Sequence, residues 1–135
     1  MSIESVLAEV AAERREIDPA VRIDWPAERW LAVLGERVGA VCQDAVRGGH
    51  DADLRAALIE VVAACGAWYE AVRYDGAFGE RVAKSAHHAY LSGLVSIFVR
   101  LAGPGVNGLS LVDCAAVAVA WAASLDRTEE GGRRG

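Results

Sequence analysis

The sequence predicts an all-α fold: a four-helix bundle of two helical hairpins, preceded by an N-terminal helix. Three observations predict it. The 135-residue chain is 53% hydrophobic with alanine its commonest apolar residue, and it has few alternating β-branched runs. That mix favours closely packed helices over sheets. Apolar residues recur at i, i+3 and i+4 over long stretches. Between those stretches stand Asp18-Pro19, Gly48-Gly49, Asp75-Gly76 and Gly103-Pro104-Gly105, all of which break helices.

Ser2 suits the cap of a first helix running to about Glu16, with Val6, Leu7 and Val10 on one face. Asp18-Pro19 stops it, because a residue before proline is pushed out of the helical region. After a connector at 21–25, Pro26 fits the first position of a second helix, where its missing N–H is no loss. That helix runs to about Arg47, with Trp30, Val33, Leu34, Val38, Val41 and Ala45 keeping i, i+3, i+4 spacing, and Gly48-Gly49 ends it. Asp51 or Asp53 caps a third helix reaching about Tyr74, its inner face made by Leu54, Leu58, Val61, Val62, Cys65, Trp68 and Val72.

Asp75-Gly76 turns the chain into a fourth helix over 78–102. Its second half, 91–101, is apolar nearly all round, which predicts burial at a bundle centre or an oligomer interface. Asn107 or Ser110 caps a fifth helix ending near Leu125. Residues 1–127 are thus expected to form one helical domain. The polar, Gly-rich tail 128–135 is expected to be disordered.

The formal net charge is −5, and no basic face suggests a nucleic-acid binder. Acidic and basic residues interrupt the N-terminus, so no signal peptide is expected. The longest apolar stretch, 114–123, covers about ten residues, where a membrane span needs roughly 20. The expected location is the cytoplasm, with no membrane partner. Cys42, Cys65 and Cys114 lie in apolar helical stretches without CxxC spacing. They read as buried reduced thiols, since the ligand pairs of a Cys/His metal site are missing.

Residues 58–68 (LIEVVAACGAW) align without gaps to 111–121 (LVDCAAVAVAW), which places Glu60 on Asp113. With a shorter connection, 34–41 then falls opposite 91–98. The echo reads either as two hairpins related by a pseudo-twofold or as the chance likeness of Ala-rich helices. A second echo, GERV at 35–38 and again at 79–82, has a different offset and is the weaker match.

Residues 30–43 (WLAVLGERVGAVCQ) and 54–71 (LRAALIEVVAACGAWYEA) together resemble the paired helices of MazG-like all-α nucleoside triphosphate pyrophosphohydrolases. The segment from Trp25 to Trp30 is similar to those proteins' approach to their first acidic helix. Residues 115–121 (AAVAVAW) look like their second-helix motif. The resemblance covers about 13–72 plus the last helix, with Trp30, Gly39 and Trp68 in register.

What the resemblance implies is a bundle in which an ExxE pattern on one helix and an ExxD-type pattern on the next hold catalytic Mg²⁺. Carried onto this chain, the four positions are Arg37, Ala40, Ala57 and Glu60. Mg²⁺ needs near-octahedral oxygen ligands, and i, i+3 acids share a helix face. Here Arg37 sets a permanent positive charge where a ligand belongs. Ala40 and Ala57 offer no oxygen, so the site is expected to be degenerate. The matched second-hairpin positions are Leu94, Ile97, Ser110 and Asp113, of which Asp113 alone is an acid.

Three readings follow. In the first, a catalytically degenerate MazG-like protein acts through binding or oligomerisation, with a like subunit, a protein partner or a nucleotide as its target. No cofactor is then expected. In the second, Glu36, Glu60 and Asp113 converge into a rebuilt catalytic and metal site, and Mg²⁺-dependent pyrophosphohydrolysis survives. In the third, the chain is an unrelated Ala-rich adaptor. The apolar 91–101 and 112–121 segments predict a homo-oligomer. Arg37, Lys84 and His88 are the candidate phosphate contacts, Lys84 and His88 being i, i+4 neighbours beside Arg81. His87 and His88 point about 100° apart on a helix, so both cannot serve one face. No phosphate-cradling Gly loop or nucleophile elbow occurs.

Overall fold

The computed structural model describes residues 3–16, 25–48, 50–73, 77–87 and 108–134. Among these, the regular elements are α1 (Ile3–Glu16), α2 (Ala27–Arg47), α3 (Asp51–Arg73), α4 (Phe78–Ala86) and α5 (Gly108–Arg134), with no strand. The fold is all-α, packed as a helical bundle. The Ser2 cap, Asp18-Pro19, Asp75-Gly76, the apolar run 91–101, His88, Leu94, Ile97 and Asn107 lie outside the described residues.

Local chemistry sets the ends of α2 and α3. Pro26, expected at the first helical position, is instead the N-cap, extended at φ −69° and ψ 160°, and its carbonyl accepts from the Arg29 and Trp30 amides at 3.0 and 3.3 Å to open α2. Gly48 closes it at φ 61°, the left-handed conformation that favours glycine. The carbonyl that opens α3 belongs to His50, which accepts from Asp53 and Leu54. Asp51 and Asp53 therefore stand inside the first turn rather than at its cap. Their charge still complements the positive end of the helix dipole.

With only Gly48 to His50 between them, α2 and α3 pack as an antiparallel hairpin. Trp30 meets Trp68 with ring centroids 6.4 Å apart and planes 8° from parallel. Seven residues further along α2, Arg37 meets Glu60, eight residues back along α3. One index rises as the other falls, which is the antiparallel register.

At the centre is α3, which shares its most extensive interface with α5 and touches α1, α2 and α4 as well. Small side chains allow this crowding. Ala57, Ala63 and Ala64 on α3 and Ala115, Ala116, Ala118 and Ala122 on α5 are all buried beside Leu58, Val61, Val62, Leu111 and Val119. The inner face predicted for α3 is present from Leu54 to Trp68 but too narrow, and the Val72 side chain lies outside the described residues. Ile59 and Tyr69 are buried as well, because neighbours surround the helix. Tyr69 packs on Phe78 at the start of α4, ring centroids 5.4 Å apart.

The last helix departs from expectation twice. It extends to Arg134, beyond the predicted end near Leu125 and through most of the expected disordered tail. Arg127, Glu129 and Glu130 are good helix formers, opposed by Thr128 and Gly131-Gly132. Leu111, Val112 and residues 114–120 are also buried within the single chain, with Asp113 exposed between them. The apolarity of 112–121 is thus largely used within the chain.

The amphipathic face of α1 buries Val6 and Val10. Polar contacts fasten its outer side. Arg55 donates to both carboxylate oxygens of Glu9, one contact being 2.8 Å. His87 Nε2 lies 3.1 Å from Glu4 Oε1. No described helix is long and apolar enough to cross a membrane.

Candidate functional site

The α2–α3 register decides where the four positions carried by the resemblance stand. Arg37 and Glu60 face each other, Arg37 Nη1 lying 3.6 Å from Glu60 Oε1. The same register sets Ala40 opposite Ala57, one turn along. Ala57 is buried and Ala40 is packed against the core. At the four positions that the resemblance would make carboxylates, this chain holds one ion pair and two alanine methyl groups.

Beside this pair is a cleft of about 170 Å³ between α1, α2 and α3. Glu13 comes from α1, and Val33, Glu36 and Arg37 from α2. Trp25 and Trp30 form an aromatic wall, centroids 4.9 Å apart and planes tilted by 54°. The α3 side carries Glu60, Ala63, Ala64 and Ala67. The three alanines leave the space that larger residues would fill. Three carboxylates and one guanidinium line this cleft, a formal charge of −2. Arg29 lies over the Trp25 ring, 4.1 Å from its centroid. A guanidinium therefore already uses this ring as a cation–π acceptor.

Glu36 and Glu60 are brought together here. Asp113 is not. It lines a second, wider cleft with Ala77, Glu80, Arg81, Lys84, Ser85 and Val112, between α4 and α5. The convergence of Glu36, Glu60 and Asp113 expected for a rebuilt site does not occur, because α3 presents Glu60 and α5 presents Asp113 to different neighbours. Among the described residues, no group of three or more His, Cys, Asp or Glu side chains could hold a metal ion. Arg37 and Lys84 likewise belong to separate clefts, and His88 lies outside the described residues. The Ser110 backbone belongs to α5.

The two clefts clarify the internal echoes. Each copy of Gly-Glu-Arg-Val lines one of them: Glu36 and Arg37 with Glu60, then Glu80 and Arg81 with Asp113. Burial follows the same match, Leu34 and Val38 corresponding to Phe78 and Val82, and Leu58 and Val61 to Leu111 and Cys114. The GERV offset is 44 residues and the α3-to-α5 offset is 53, so nine extra residues between the second pair of helices reconcile them. The described packing is thus compatible with both echoes. The pairing of 34–41 with 91–98 falls outside the described residues.

Trp25 and Glu13 were missed as cleft residues. Trp25 carried a sequence signal, standing at the head of the Trp25–Trp30 segment. Glu13 had none, since its place depends on how α1 docks. The cysteines are all free, with Cys65 and Cys114 buried and Cys42 half-buried. The neighbouring Cys114 thiol and complete burial push the Cys65 thiol well above its ordinary range. No family model, no curated protein and no solved structure matches this chain.

Proposed function

We propose that this chain is a catalytically degenerate MazG-like helical protein that acts by binding a ligand in the α1–α2–α3 cleft. One observation carries the reading: the Arg37–Glu60 ion pair stands where metal-bridging carboxylates would be required. The Arg37 guanidinium repels a divalent cation. Glu60, the one retained acid, already has a cationic partner. Hydrolysis of a nucleoside triphosphate by this superfamily's chemistry needs Mg²⁺ to bridge the phosphates and offset their charge. Without that ion, a cleft of formal charge −2 disfavours a polyphosphate.

A titration with Mn²⁺, following the free ion by electron paramagnetic resonance, tests the reading. The expected result is no stoichiometric site at sub-millimolar Mn²⁺, in the wild type and in Glu60→Gln alike. One saturable site that Glu60→Gln removes would overturn it.

A further inference from the structure

We infer that the outer flank of α2 docks a second copy of this chain, the two α2 helices packing antiparallel about a twofold axis beside Gly39. The inference goes beyond the cleft reading and does not rest on it. At roughly 3.6 residues per turn, Leu31, Gly35, Gly39, Cys42 and Val46 share one flank of α2. That flank faces away from Val33, Glu36 and Arg37, which line the cleft. Among the described helices, α2 has an extensive interface with α3 alone. Leu31 is 44% exposed and Val46 86%, and these are the exposed large apolar side chains among the described residues. Gly35 is exposed too, Gly39 and Cys42 are half-buried, and no charged residue falls on the flank between Leu31 and Val46.

The glycines point to a close neighbour. Nothing lies within 4 Å of a Cβ built at Gly35 or Gly39, and alanine suits a helix interior better than glycine. Nothing described within the single chain therefore requires glycine at either place. Side chains at a contact set how far apart two helices pack, so two bare positions one turn apart let a second helix come near.

Self-complementarity selects a second copy as that neighbour. In an antiparallel pair centred between Val38 and Gly39, Leu31 of each copy stands beside Val46 of the other, and Gly35 beside Cys42. Each large apolar side chain meets another, and each Gly35 meets a small residue. Charge agrees with this direction. The first turn of α2 carries Glu28 and its last turn carries Arg47, so antiparallel packing brings opposite charges together at both ends. Among the described residues, no ion pair engages either one. Arg29, the other charge of the first turn, lies over Trp25 instead. Antiparallel helix dipoles also attract, whereas a parallel pair would set like ends side by side. The second copy thus belongs on α2 and not on the 112–121 segment, which is largely buried within the chain.

One helix pair is a small interface, so the dimer should be weak, with a Kd of about 10 μM to 1 mM. Sedimentation velocity of the full chain from about 5 μM to 2 mM should show a reversible monomer–dimer equilibrium. Val46→Glu, at an exposed position, should raise the Kd about tenfold or more. Gly39→Gln should do the same while leaving the dilute monomer at least as stable, and those opposite signs separate docking from folding. Register is read by copper–phenanthroline and air oxidation in a Cys42→Ser background, where Cys65 and Cys114 are buried. A mixture of Leu31→Cys and Val46→Cys chains should form a disulfide-linked dimer. Neither variant should do so alone, because like positions then stand roughly 22 Å apart along the helices and a disulfide needs Cα atoms within about 7 Å. A chain that stays monomeric throughout would overturn the inference and leave the flank to a different protein. Dimerisation that ignores both Val46→Glu and Gly39→Gln would overturn it, as would cross-linking in the single variants but not in the mixture.

Discussion

Arg37 and Glu60 meet across the α2–α3 hairpin, Arg37 Nη1 lying 3.6 Å from Glu60 Oε1 in the wall of the anionic cleft. The pair is only partly buried, with side-chain exposures of 36% and 40%. Solvent therefore screens it, and a surface pair contributes about 0.2–1 kcal/mol. A double-mutant cycle with Arg37→Ala and Glu60→Gln should give a coupling of about 0.5 kcal/mol by chemical denaturation. A coupling above about 2 kcal/mol would make the pair a structural anchor instead of a replacement of site chemistry.

Two glycines, one inside α2 and one capping its end, should respond in opposite directions. Gly48 sits at φ +61° with open space around it, so Gly48→Ala meets no clash but must adopt a left-handed conformation. It should destabilise the protein by about 1–2 kcal/mol. Gly35 lies inside the helix, also with nothing within 4 Å of an added Cβ. Gly35→Ala should stabilise by about 0.5–1 kcal/mol, because alanine is the better helix former. Denaturation midpoints of the two variants check both signs.

Arg55 gives the fold a pH dependence through Glu9. Its hydrogen bonds lower the Glu9 pKa below 4.5, with its charge acting in the same direction and burial opposing. A carboxylate with a depressed folded pKa contributes stability that is present above its unfolded pKa and lost as pH falls through the folded value. Thermal unfolding of wild type and Glu9→Gln should therefore differ most above about pH 4.5 and converge in more acidic buffer. A gap that widens on acidification would contradict the assignment. Glu9 is half exposed, so the gap should be small.

The thiols should separate by burial. Cys42 is half-buried, whereas Cys65 and Cys114 are fully enclosed and Cys65 is held protonated. A thiol-specific chromogenic reagent should label Cys42 in the native protein and all three cysteines after unfolding, as intact-mass spectrometry would count. Rapid native labelling of Cys65 or Cys114 would mean the α3–α5 interface opens readily.

Much of this architecture was legible because its signals are local. The i, i+3, i+4 spacing of Leu34, Val38 and Val41 gave the buried face of α2, and Gly48 marked its end. The arrangement of helices was less legible. Sequence spacing does not say that α3 lies at the centre, so the burial of Ile59 and Tyr69 was not foreseen. Nor does it say which acids share a cleft. Glu60 and Asp113 occupy matched places in similar helices, yet each faces its own neighbour, Arg37 in one case and the Arg81–Lys84 strip in the other. Helical likeness suggested convergence, but packing separated them.

The central claim is that the cleft binds without hydrolysing. The most direct measurement is pyrophosphate release from a panel of nucleoside triphosphates by the folded full chain, with Mg²⁺ or Mn²⁺ and with EDTA as control. The account predicts no release above the protein-free background with either metal. Release that requires metal, stops with EDTA and disappears in Glu60→Gln would contradict it, and would mean that Arg37 yields Glu60 to a metal ion when nucleotide binds.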